Sequence, residues 1–199
     1  MSPLDKSVFY FLSFICLALR LSGEEELDLT AQQQEQLLNG EVLFLEPDGN
    51  NMLKAVIRIE AAPEFVWNIM LDHERVPEYV KQLRRIKVLE QGKNWKVIEH
   101  RLKMHTLVPT FTYVFREEYT DDYEIAFSRV RGAFKDITGY WKLVPRKSKD
   151  DCLLVYSTYV DFGWLVPKSW IRHAIDKQVP VLLQTFRDVV TTDLEDKGS

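Results

Sequence analysis

Three polar side chains fall where alternation along a strand turns them toward apolar neighbours: His100, Tyr113 and Arg129. An imidazole, a phenol and a guanidinium set among apolar groups can hold a ligand carbonyl or acid group by hydrogen bonds. A histidine or tyrosine with a displaced pKa can also move a proton. The rest of the sequence offers little reactive chemistry. It has no G-x-S-x-G, H-E-x-x-H or C-x-x-C motif and no phosphate-binding glycine loop. The carboxylate pairs Glu117-Glu118, Asp121-Asp122 and Asp150-Asp151 lie at expected strand ends or hairpin tips, where solvation accounts for them. Asp72-His73 fits the start of a short helix, with the aspartate as its cap. Two cysteines, Cys16 and Cys152, cannot assemble a zinc or iron–sulfur site. No catalytic residue, metal or cofactor is assigned.

The elements that must position these residues belong to a chain of 199 residues, 46% hydrophobic and 12% aromatic, enough for one domain with a sizeable core. The formal charge of −4 argues against a nucleic-acid partner, which needs a basic footprint. One local basic cluster, Lys81, Arg84, Arg85 and Lys87, reads as a solvated face, or as a peripheral contact with anionic membrane lipid.

The apolar stretch of twelve residues from Val8 to Leu19 is too short to span a bilayer comfortably and matches the core of an export signal. Residues 1–23 are therefore expected to be a signal peptide cut before Glu24, giving a periplasmic or secreted protein. The alternative is a membrane anchor formed by residues 8–19. With residues 1–23 removed, Cys152 would be a lone thiol, so no disulfide is expected. Residues 24–40 form a helical extension in which Thr30 caps AQQQEQLL. A domain over 41–192 and a tail over 193–199 complete the division.

Within the domain, two strands flank the turn Pro47-Asp48-Gly49-Asn50, and Pro63 opens a helix carrying Phe65, Val66, Ile69 and Met70. A second short helix runs from Asp72-His73 toward Val80. Period-two alternation then predicts strands at 83–90, 95–106, 110–120, 123–131, 136–145 and 151–161. A helix over 168–191 presents one stripe, Ile171, Ala174, Ile175, Val179, Leu182, Phe186 and Val189, interrupted by Pro180. The fold class is α+β, with a curved antiparallel sheet wrapped around the long C-terminal helix.

Alternation sets His100 beside Ile98, Leu102 and Met104, and Tyr113 beside Phe111 and Phe115. It sets Phe127 and Arg129 with Tyr123 and Ile125, and Trp141 with Gly139 and Leu143. The last strand is apolar on both faces, so neither is assigned inward. One reading is a cavity of ~300–1,000 Å³ against the long helix. Its ligand-binding lining would be His100, Met104, Phe111, Tyr113, Phe127, Arg129 and Trp141. The other reading is a filled core whose polar members are satisfied internally.

Residues 61–90, AAPEFVWNIMLDHERVPEYVKQLRRIKVLE, resemble the opening of the START-like polyketide cyclase/dehydrase (SRPBCC) superfamily. The matching positions are Ala62-Pro63, Val66-Trp67, Asp72, Pro77-Glu78-Tyr79 and Val88-Leu89, followed by Gly139-Tyr-Trp141-Lys-Leu143-Val-Pro145 and Val166-Pro167. Coenzyme Q-binding and aromatase/cyclase-like members are the most similar. The resemblance covers roughly residues 41–192 and implies a helix-grip fold of the START/Bet v 1 type around an apolar cavity. The family shares no universal catalytic residue, so none carries over. Three functions are compatible: binding or transport of a lipid, quinone or polycyclic molecule; a cyclase or dehydratase using His100 or Tyr113 as acid/base; and a protein-interaction module of the same fold.

Overall fold

In the computed structural model, the residues described are 27–47, 52–103, 110–163 and 168–198. The order is α1 (Ala31–Leu38), β1 (Leu43–Leu45), β2 (Leu53–Ile59), α2 (Pro63–Leu71) and α3 (Val76–Tyr79). Then come β3 (Leu83–Gln91), β4 (Trp95–Leu102), β5 (Phe111–Thr120), β6 (Glu124–Gly132), β7 (Asp136–Pro145), β8 (Cys152–Asp161) and α4 (Lys168–Gly198). All strands join one eight-stranded antiparallel sheet in the order β1-β2-β8-β7-β6-β5-β4-β3. The six strands expected from alternation are all present. The tail expected over 193–199 continues α4 as far as Gly198.

One face of the sheet packs on α4. Val179, Leu183, Phe186 and Val190, spaced four, three and four apart, are the buried line of the helix. They meet Ala55, Ile57 and Ile59 of β2, Leu143 of β7 and Leu154 of β8. The predicted stripe shares Val179 and Phe186 with this line but runs one position off it at Leu182 and Val189, which are half-buried at its margin.

The opposite face explains why β8 is apolar on both sides. Leu37 of α1 is fully buried against Leu43, Val56, Leu153 and Val155. Helix α1 thus seals the outer face of β1, β2 and β8. Thr30 caps it, and Gln33 returns the hydrogen bond in a capping box. Leu37→Ala is expected to cost about 2–3 kcal/mol in a urea titration, the lower part of the usual range because this satellite cluster lies near solvent and can relax. An unchanged midpoint would mean that α1 lies loosely on the sheet.

Two local readings are corrected. Asp72 does not cap the start of a helix; it is the C-cap residue of α2, and α3 starts only at Val76, with Pro77 in its first turn. Asp151 is not a solvated hairpin charge. It is 8% exposed, accepts from Arg58 Nε at 2.9 Å and faces Arg146 Nε at 3.4 Å, which ties the β7–β8 hairpin to β2. Strand β3 forms one edge of the sheet. It is broken by register shifts at Leu83/Arg85 and Val88/Glu90 and carries exposed Arg84, Arg85 and Lys87, features that discourage edge pairing.

Candidate functional site

Between the inner face of the sheet and α4 lies a cavity with two adjoining lobes of about 240 and 160 Å³. The lobes share Val80, Leu83, Tyr113, Ile137, Tyr156 and Leu182. Each is smaller than the ~300 Å³ lower end of ordinary small-molecule sites, which the two together reach. The outer lobe is walled by residues such as Phe134, Val160, Phe162 and Val179. Gln82 Nε2 donates to Gln178 Oε1 at 3.1 Å beside it, linking the start of β3 to α4.

The inner lobe is different in character. Period two along β5 sends Tyr113, Phe115, Glu117 and Tyr119 to one face, and neighbouring His100 of β4 joins them. Tyr119 Oη donates to Glu117 Oε2 at 2.5 Å. His73, in the loop after α2, places Nε2 3.3 Å from the same oxygen and 3.2 Å from Tyr119 Oη. Burial pushes the Glu117 carboxyl up to about 7, opposed by the Tyr119 hydrogen bond and by Lys96. Burial, helped by Lys96, pushes His73 down to about 4, so the imidazole is neutral near pH 7 and the pair is not an ion pair. Tyr119 directs its one hydroxyl proton at Glu117 Oε2, so His73 Nε2 joins the cluster as a donor in the tautomer that carries its proton on Nε2.

His100 Nδ1 lies 3.1 Å from Tyr113 Oη, and its ring meets Phe115 edge-on at 4.6 Å. Burial pushes it down to about 3, with His73 adding to the effect. Its Nε2 is sealed off without a partner. Among the described residues, no group of three His, Cys, Asp or Glu could hold a metal ion, and no helix is long and apolar enough to cross a membrane.

This curved sheet, gripping a helix across a cavity, coincides with a sequence match over residues 59–187 to the family described as polyketide cyclase/dehydrase and lipid transport. The chain belongs to that family. No curated protein matches it in sequence. Among solved structures, an aromatase/cyclase, Zhui, from a Streptomyces species is 12% identical, with 77% of this chain and 96% of that chain covered at TM-score 0.62. A STAR-related lipid transfer protein from Xanthomonas axonopodis is 17% identical, with 75% and 92% covered at 0.61. A START superfamily protein from Mycobacterium smegmatis is 15% identical, with 71% and 97% covered at 0.63. At these identities the likeness is one of fold.

In this polyketide cyclase/dehydrase family member, the cavity brings together His100, Tyr113, Phe127 and Trp141 of the predicted lining. Phe111 is set back from it, stacked on Phe134 at 6.3 Å. Arg129 stays outside: its guanidinium donates to the carbonyl oxygens of Phe134 at 2.7 Å and Gly132 at 3.3 Å, bracing the β6–β7 turn. Met104 lies outside the described residues. Sequence reasoning missed Glu117 and His73. The signal for Glu117 was present, because the alternation that turned Tyr113 and Phe115 inward reaches it two residues later. His73 sits in a loop, where no periodicity marks it.

Proposed function

We propose that this protein binds and carries a hydrophobic small molecule (a lipid, quinone or polycycle) in the two-lobed cavity. The outer lobe carries the reading: aliphatic and aromatic side chains from β7, β8 and α4 surround unfilled space next to a polar inner end. The family match and the folds of the lipid transfer and cyclase structures support it. Lys81, Arg84, Arg85 and Lys87, exposed around the β3 edge near lobe residues Val80, Gln82 and Leu83, suit delivery at an anionic membrane surface. Export through residues 1–23 belongs to the same reading.

Native mass spectrometry of the full chain isolated from its own host tests it. The expected result is a mass excess matching one small molecule, lost in Leu182→Trp, which fills the junction of the lobes. Folded wild-type protein that is empty and takes up no added amphiphile overturns the proposal. A cyclase or dehydratase is the second reading, favoured by one observation: a carboxyl that titrates near neutrality, touching a neutral imidazole in the cavity wall. Recovery of the bound molecule unchanged after incubation supports carriage, and its conversion supports the enzyme.

A further inference from the structure

The two oxygens of Glu117 have different surroundings. Oε2 receives Tyr119 Oη at 2.5 Å and has His73 Nε2 at 3.3 Å, so donors already occupy it. Oε1 makes no hydrogen bond among the described residues. Nor is it one of the sealed polar atoms without a partner, which are Tyr79 Oη, His100 Nε2 and Ser157 Oγ. Glu117 is itself only 7% exposed and lines the inner lobe, and Oε1 is its carboxyl oxygen that no donor of the described residues takes up.

We infer that the inner lobe is a binding site for a carbonyl oxygen at the buried end of a hydrophobic ligand, held by a proton on Glu117 Oε1. This rests on the cavity-binding reading and specifies its ligand chemistry. With donors crowding Oε2, a proton taken up by the carboxyl goes to Oε1. A ligand filling the lobe removes the remaining water and disfavours the carboxylate further. The bound state is therefore the neutral acid, with Oε1–H as a donor in a mostly apolar wall. Its complement is an acceptor without a competing proton: a ketone, quinone, ester or amide oxygen.

The groups facing Glu117 leave this titration to it. His73 from the α2–α3 loop and His100 from β4 remain neutral across the neutral range, and Tyr119 and Tyr113 from β5 and Tyr156 from β8 keep their protons. Lys96 from β4 opposes protonation of the carboxyl. From β6, β7 and α4 the lobe receives Ile125, Phe127, Trp141, Leu182 and Phe186, none of which titrates. The carboxyl's ordinary 4.5 is raised to about 7, which places the switch within reach of a binding experiment.

The test titrates the full chain with 2-acetylnaphthalene and with 2-ethylnaphthalene, which has nearly the same shape and no carbonyl. At about pH 6 the ketone is expected to bind about five- to tenfold more tightly, as one hydrogen bond in a dry site requires. By about pH 8.5 that preference should fall several-fold. Glu117→Gln, which can keep an acceptor toward Tyr119 and offer N–H toward the lobe, should retain the preference at both pH values. Glu117→Leu should lose it at both. Equal binding of the two naphthalenes to the wild type at about pH 6, or a pH dependence that survives in Glu117→Gln, overturns the inference and leaves the cavity reading standing. Binding of neither probe to folded protein overturns both.

Discussion

Acidification from about pH 7 to about pH 4 is expected to remove about 3 kcal/mol of stability through the buried histidines and Glu117, and His100→Phe is expected to recover most of it. His73 and His100 are held down to about 4 and about 3, against an ordinary 6.5. Below about pH 6.5 the unfolded chain takes up protons at both imidazoles while the folded chain does not. Stability is lost as pH falls, by about 3 kcal/mol per imidazole at pH 4 on the usual 1.36 kcal/mol per pKa unit.

Glu117 works in the opposite sense. Its folded carboxyl, raised to about 7 from 4.5, holds a proton that the unfolded chain has released. Its neutral form therefore favours folding at low pH, and this contribution is lost as pH rises through about 7. Across the same acid range Glu117 returns about 3 kcal/mol, which leaves the net loss stated above. Urea midpoints measured from about pH 4 to about pH 8 check this. In His100→Phe the profile should flatten on the acid side. Glu117→Gln should match the wild type at about pH 4 and exceed it by about 3 kcal/mol at about pH 8. An acid loss of equal size in the wild type and His100→Phe would place the imidazole in contact with water.

Gly139→Ala should be as damaging despite adding one methyl group. Gly139 lies in β7, opposite Phe127 of β6 and Thr158 of β8. A Cβ there would stand 2.1 Å from the Ser157 carbonyl oxygen and 2.5 Å from Phe127 Cζ. The phenylalanine ring can turn, but the carbonyl is part of the β8 backbone and cannot yield without spreading β7 from β8. The expected cost is about 3 kcal/mol or more, at or above the top of the usual range for overpacking. Adding Phe127→Leu should rescue little of it, because the backbone contact remains. A shift below about 1 kcal/mol would show that the ladder gives way there.

The strands were legible because both signals agreed along them: two-residue alternation, and breaks of glycine, proline or paired charge. The same alternation correctly faced His100, Tyr113, Phe127 and Trp141 toward the cavity. It failed where charge was allowed to overrule it. Glu117 was taken as solvated because a carboxylate followed it, although its own position in the alternation pointed inward. Arg129 failed for the opposite reason. Near the exposed end of β6 the face that is inward at Phe127 is already solvated, and the guanidinium finds backbone carbonyls instead. The pairing of Gly139 with a ring was anticipated, but the ring over it is Phe127, across the strand pair, and not Trp141 of its own strand. Asp151 could not be read as buried, because its partner Arg58 is 93 residues away in sequence.

The position of β8 between β2 and β7 has a consequence for the order of events during synthesis. Strand β2 and helix α1 are among the first elements to leave the ribosome, yet both rest on β8, which is made about a hundred residues later. Until residues 152–161 emerge, Val56 and Leu37 lack much of the surface that buries them, and β3 to β7 form a meander without its closing strand. Helix α4 comes last, and only its arrival separates the inside of the molecule from water. Such a chain acquires its tertiary structure late, with its apolar wall exposed until the turns of α4 that carry Val179 to Val190 are in place.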